Sequence, residues 1–233
     1  MNIYDCANKF YLSNMPLKIR MVYESHLVVD GEPDRQKTYD AVTPHNGKKI
    51  CLDIECWEFK ITNYDEAHNQ LMMEKYLQVM EWARQAAPDS DIGFFKSRFE
   101  YSELFHESSW ANYDRLMTQL SPLYECQDTL YPSSYITYDK PDLWYMYMGT
   151  VLSELAVHGK PIVPFVWHKN TKPEETEVGM AMWRKQLSFF ESLALNANPN
   201  NHPIVDGIAV WVKSDEEHPG GNDEWWVELK RFL

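Results

Sequence analysis

The stretch whose reading decides the fold is KKICLDIECWEF, residues 48–59. Ile50, Cys51, Leu52 and Ile54 make it look like a buried strand, yet Asp53 and Glu55 stand in it one residue apart, with Trp57 next in the series. Side chains alternate across a strand, so an extended run points Asp53, Glu55 and Trp57 to one face and Leu52 and Ile54 to the other. Carboxylates at i and i+2 lie about 6.6 Å apart along such a strand, close enough to converge on one small ring. A buried carboxylate without a partner is costly, so the pair requires a cation, a bound proton or a wet cavity. Ion pairing at a loop explains most isolated acids and involves no function. Here the alternation, the apolar flanks and the trailing indole favour chemistry. Two close like charges raise one pKa, leaving one group able to donate a proton at neutral pH while the other stays ionised.

Downstream, residues 64–86 (YDEAHNQLMMEKYLQVMEWARQA) place Leu71, Tyr76, Leu77, Met80 and Trp82 or Ala83 at helical intervals, and Pro88 with Asp89 closes the run. The methionines in it read as packing. Apolar runs at 91–97 (DIGFFKS), 128–138 (DTLYPSSYITY), 161–167 (PIVPFVW) and 206–212 (DGIAVWV) read as strands, and 18–29 (KIRMVYESHLVV) as an earlier one. Helices are expected near 112–124, at 141–158 and at 176–195. The second of these opens on Pro141 and Asp142 and stops before Gly159, the usual asymmetry of helix ends.

Strands that alternate with helices and are apolar on both faces predict an α/β fold with parallel sheet. No GxGxxG or P-loop follows any strand, which favours a barrel over a nucleotide-binding sheet. Asp53, Glu55, Tyr131, Trp167 and Trp211 all fall at or just past a predicted strand end, where a barrel gathers its catalytic groups. The chain has 233 residues, against about 250 for a complete eight-stranded barrel. The expectation is therefore a distorted or incomplete TIM-like (β/α) barrel, a single domain over residues 1–233, with residues 1–17 an irregular N-terminal arm.

The formal net charge of −13 opposes a nucleic-acid or anionic-membrane partner. Nine Trp and 14 Tyr supply flat faces of the kind carbohydrate sites use, although most aromatics fill a core. Cys6, Cys51, Cys56 and Cys126 form no CxxC pair, and the eight His show no ligand spacing, so neither metal nor cofactor is expected. The start, MNIYDCANKFYL, shows no signal peptide, and no apolar run is long enough to cross a membrane.

Asp53-x-Glu55-x-Trp57 resembles the Asp-x-Glu-x-Trp signature of the hyaluronidases of glycoside hydrolase family 56. Later segments resemble that family in the same order: DIGFFKSRFEY its Gly-Phe-Tyr strand, TLYPSSYI its Tyr-Pro-Ser-Ile-Tyr segment, GKPIVPFVW its Pro-Val-x-Pro-Tyr-Val strand, and DGIAVWV its final Gly-x-x-x-Trp strand. The resemblance spans about residues 48–212. Glu58 stands where the family usually has Arg-Pro, Phe165 where a Tyr is common, and the family's spaced disulfides are absent. The resemblance implies a distorted TIM-like barrel, secretion, and retaining cleavage of β-N-acetylhexosaminides assisted by the substrate acetamide. It implies Glu55 as proton donor, Asp53 as the carboxylate that positions the acetamide, and Tyr131 as its hydrogen-bond partner. Trp211 becomes a pocket wall, with Tyr135 a second choice to Tyr131 and with Trp57 and Trp167 as further substrate-binding residues. The expected partner is an oligosaccharide or polysaccharide; a polyanion is a poor electrostatic match for so acidic a chain, which leaves a neutral N-acetylated glycan or another sugar altogether equally open.

Two other readings use the same residues. A muramidase-like lysozyme also places Asp-x-Glu at a strand end, and a carbohydrate-binding barrel keeps the site without turnover. Tyr131, Tyr135 and Trp211 are each also explicable as core packing, and His168 as a loop residue.

Overall fold

The computed structural model describes residues 1–6, 17–96, 107–136, 141–169, 178–195, 205–212 and 223–232. In chain order the first strands are β1 (Asn2–Asp5), β2 (Ile19–Tyr23), β3 (Val28–Val29) and β4 (Glu32–Pro33). Helix α1 (Arg35–Val42), strand β5 (Lys49–Asp53), helix α2 (Glu66–Ala86) and strand β6 (Asp91–Phe94) follow. Then come α3 (Glu107–Glu125), α4 (Pro141–Ala156), β7 (Phe165–Val166), α5 (Met180–Leu195), β8 (Gly207–Val210) and α6 (Glu224–Leu229). The chain divides into two compact units, one of Arg20–Tyr131 and one of Met1–Ile19 with Pro132–Leu233.

In the Arg20–Tyr131 unit the sheet runs β2-β5-β6, with β5 and β6 parallel in the register Lys49↔Asp91 to Leu52↔Phe94. Ile50, Cys51 and Leu52 are all fully buried, as a strand covered on both faces requires. Helix α2 starts where Asp65 accepts the amide of His68 at 3.0 Å, a side-chain N-cap. Its buried stripe is Met72, Met73, Tyr76, Val79, Met80 and Ala83; Leu71, expected on that stripe, is 50% exposed. The β3–β4 hairpin turns on Asp30 and Gly31, both at positive φ (51° and 79°), the conformation an Asp-Gly turn supplies. Gly93 in β6 has no room for a side chain: a Cβ there would run into the Thr129 carbonyl oxygen and come within 2.9 Å of the Tyr131 ring. Glycine thus lets the Tyr131 segment lie flat on the strand.

In the other unit the sheet runs β1-β8-β7, all parallel, with the four residues of β8 buried at its centre. Trp183 on α5 is fully buried and donates its indole N–H to the carbonyl of Trp225 on α6 at 3.1 Å. Gln186 on α5 and Trp144 on α4 both donate to the Ser134 carbonyl, at 2.7 and 3.0 Å.

The alternating, parallel α/β character expected from sequence is present. Among the described residues the longer strands form two open three-stranded sheets, without a closed ring. The expected strand at 128–138 is reduced to single bridges, Phe95↔Tyr131 and Ser133↔Phe165. Pro132 has no N–H to give a ladder, and Pro161 and Pro164 shorten β7 in the same way. The expected strand 18–29 breaks into β2, a 3-10 turn at Glu24–His26, and β3. Asn2–Asp5, expected within an irregular arm, is a strand because Ile3 and Tyr4 are buried against β8; residues 7–16 lie outside the described residues, as do 137–138 and 176–177.

Candidate active site

Strand β5 ends at Asp53, so strict alternation does not extend to Trp57. The chain turns instead, and the turn is held by hydrogen bonds, buried on the Tyr76 side and exposed on the Glu24 side. Tyr76 on α2 donates its hydroxyl to the Ile54 carbonyl at 2.8 Å, with the Trp57 carbonyl 3.4 Å away. One oxygen of Glu24, Oε2, accepts the amides of Glu55 at 2.9 Å and Cys56 at 2.8 Å. Trp57 lies under this turn rather than beside the acids: it is 3% exposed, meets the Tyr76 ring edge-on at 5.3 Å, and donates Nε1 to the Gly31 carbonyl at 2.9 Å.

The two acids emerge from that support in different environments. The side chain of Glu55 is 62% exposed, and the Lys96 ammonium stands 3.8 Å from its Oε1. An ion pair of that length between water-exposed groups is weak. Asp53 is half-buried, and its Oδ1 is shielded from water with no hydrogen-bond partner among the described residues. Burial, followed by the charge of Glu55, pushes the Asp53 carboxyl up from 3.8 to about 7; Lys96 opposes the rise and Glu24 adds to it. Near neutral pH Asp53 is therefore the group able to hold a proton. The Cys56 thiol is pushed up to about 11 by burial and by its hydrogen bond to Glu24.

Lys96 reaches this place through a left-handed backbone, φ 51°, which for a residue with a Cβ costs on the order of 1 kcal/mol. Its amide donates to the Tyr131 carbonyl at 3.1 Å, so the end of β6 and the Tyr131 segment are tied together. The Tyr131 ring itself is 1% exposed.

In the unit containing β7 and β8, Trp167 and Trp211 follow the two strand ends and meet edge-on at 4.9 Å. Tyr135 completes the cluster, 5.9 Å from Trp167 and 6.1 Å from Trp211 between ring centroids. Nε1 of Trp167 is buried with no hydrogen-bond partner among the described residues. His168 next to it is buried and lies flat on Trp225, ring centroids 4.0 Å apart and 10° from parallel. Burial, and then the charge of Lys169, lowers its pKa to about 4, so it is neutral at physiological pH.

Asp53 and Glu55 thus form one group with Glu24, Cys56 and Lys96, while Tyr135, Trp167 and Trp211 form a second. Glu24 and Lys96 carry no signal in the sequence, because each reaches the turn from a distant segment. None of the four cysteines is in a disulfide.

No family model matches the chain, and neither does any curated protein. Solved structures do. The monoclinic crystal structure of bee venom hyaluronidase superposes with a TM-score of 0.62 at 15% identity, over 100% of this chain and 96% of that one. The same bee venom enzyme in complex with a hyaluronic acid tetramer gives 0.55 at 13% identity, over 92% of this chain and 83% of that one. At these identities the likeness is one of fold, and this chain is hyaluronidase-like in that sense.

Proposed function

We propose that this chain is a glycoside hydrolase with a hyaluronidase-like, substrate-assisted retaining mechanism acting on an N-acetylated glycan. The observation that carries the reading is the Asp53–Glu55 pair at the end of a parallel strand, with one buried carboxyl oxygen of Asp53 lacking a hydrogen-bond partner among the described residues. The hyaluronidase-like fold supports it, and an incomplete (β/α) barrel is the architecture it calls for.

In this reading the resting pair shares one proton, held at Asp53. A sugar seated over Glu55 strips water from that carboxylate and raises its proton affinity, so the proton passes to Glu55. Glu55 then protonates the glycosidic oxygen as the bond to the anomeric carbon breaks. The acetamide oxygen of the same sugar bonds to that carbon from the opposite face, while the Asp53 carboxylate accepts a hydrogen bond from the acetamide N–H. Water next gives a proton to Glu55 and attacks the anomeric carbon. The ring of the cyclised intermediate opens, the acetamide is restored, and two inversions leave net retention. Tyr131 is the proposed hydrogen-bond partner of the acetamide, and Tyr135, Trp167 and Trp211 a surface for sugar faces. The net charge of −13 favours a neutral glycan over a polyanion.

The test is release of reducing ends from a panel of N-acetylated oligosaccharides, with peptidoglycan and hyaluronan included. The parent is expected to cleave at least one neutral member, Glu55→Gln to cleave none while melting normally, and a thiazoline mimic of the cyclised intermediate to bind. Activity that survives Glu55→Gln sinks the assignment. Cleavage confined to peptidoglycan points to a muramidase, and binding without any turnover to a carbohydrate-binding protein.

A further inference from the structure

The turn that presents Glu55 is only as well placed as its hydrogen bonds, and both amides at its apex, those of Glu55 and Cys56, end on a single oxygen of Glu24. Glu24 opens the 3-10 turn Glu24–His26 directly after β2, so the bond ties the turn to the neighbouring strand of the same sheet. From the other side Tyr76 holds the Ile54 carbonyl. Backbone on both sides of Glu55 is thereby fixed, while the Glu55 side chain stays exposed.

We propose that Glu24 is a positioning residue for the acid pair, its carboxylate setting where the Glu55 carboxyl stands relative to Asp53. The proposal rests on the reading of Asp53 and Glu55 as the catalytic acids. A carboxylate that takes two backbone N–H groups is a charge-assisted acceptor, stronger than a neutral one. Its second effect is electrostatic. The groups acting on Asp53 are Glu55 from the turn, Glu24 from the end of β2 and Lys96 from the end of β6, and only Lys96 favours the ionised form. Asp53 in turn acts on the Tyr76 hydroxyl of α2, which Cys56 also faces, and burial holds that hydroxyl protonated. Removing the Glu24 charge removes one of the two negative neighbours of Asp53.

Two substitutions separate the two effects. Glu24→Gln keeps an oxygen that can accept both amides and loses the charge; Glu24→Ala loses both. For Glu24→Ala, kcat on the cleaved glycan is expected to fall roughly 100-fold with KM little changed, since misplacement by about 1 Å has that effect. For Glu24→Gln, at least a tenfold part of that loss is expected to return, and the alkaline-side midpoint of the pH–kcat/KM profile, where the proton held at Asp53 is lost, to move down. A purely structural Glu24 would lower the melting temperature in both variants without moving the midpoint.

A second measurement needs no substrate. Carbon-13 NMR titration of the Asp53 carboxyl is expected to give a lower midpoint in Glu24→Gln than in the parent, and the Glu55 and Cys56 amide protons to stay protected from exchange in Glu24→Gln but not in Glu24→Ala. An unmoved Asp53 midpoint, or equal protection of both amides in all three proteins, overturns the proposal. Activity retained in Glu55→Gln overturns the catalytic reading instead, and the NMR result still decides whether Glu24 sets the turn.

Discussion

The hydroxyl of Tyr76 and the carbonyl of Ile54 meet at 2.8 Å in the interior, one residue beyond the end of the acid-bearing strand. The same ring packs edge-on against Trp57 and Phe94 and stacks on Phe59. Tyr76→Phe keeps those ring contacts and leaves the Ile54 carbonyl without its buried donor. The expected cost is about 1–2 kcal/mol in urea denaturation at an unchanged m-value. A variant as stable as the parent would mean that water or another donor replaces the hydroxyl.

Asp53 makes stability fall as pH rises. Its folded pKa is about 7 against 3.8 for an ordinary carboxyl, so below about pH 4 both folded and unfolded states hold the proton and its contribution is intact. Between 4 and 7 the unfolded chain gives up its proton first, and the loss reaches on the order of 4 kcal/mol above 7. Asp53→Asn is expected to match the parent near pH 3 and to exceed it in stability at pH 8. Parallel stability–pH curves for the two proteins would contradict the raised carboxyl.

The opposite slope belongs to His168. With a folded pKa of about 4 against 6.5, it contributes fully above pH 6.5, and that contribution is lost as pH falls to 4, on the order of 3 kcal/mol. His168→Phe keeps a flat ring on Trp225 and cannot titrate, so its stability is expected to decline less than the parent's between pH 6.5 and 4. Thermal melting across that interval makes the comparison.

Trp211 tests the aromatic surface. Unlike Trp167 it is only half-buried, so truncation removes a ring face at smaller cost to the core. Trp211→Ala, made in the Glu55→Gln background to prevent turnover, is expected to weaken glycan binding by about tenfold in calorimetric titration, equivalent to about 1.4 kcal/mol. Unaltered binding would place the sugar elsewhere.

Much of this arrangement can be read along the chain. The apolar run 50–52 is buried on both faces, Asp53 stands at its end, and α2 begins at its Asp65 cap and ends before Pro88. These features depend on neighbours a few residues apart, and local periodicity and capping record them. What periodicity cannot record is where a strand stops. Extended alternation would carry Trp57 to the face of the acids, but Tyr76 and Glu24 pull the chain into a turn, and their positions 19 and 31 residues away in the sequence give no local trace. The 128–138 run likewise has strand composition, yet Pro132 interrupts its hydrogen bonding. The raised carboxyl is a further case: the pair suggests a shared proton, but which acid keeps it depends on depth, and Asp53 lies deeper than Glu55.

The thiol beside Glu55 adds a property of chemical durability. A thiolate is the form that reacts with alkylating agents and oxidants, and the burial and Glu24 contact that hold Cys56 near 11 leave almost none of it at neutral pH. The exposed turn can therefore carry a sulfur next to its acid without becoming a target: iodoacetamide at pH 7 should label Cys56 far more slowly than an ordinary surface cysteine, and oxidants should spare the site.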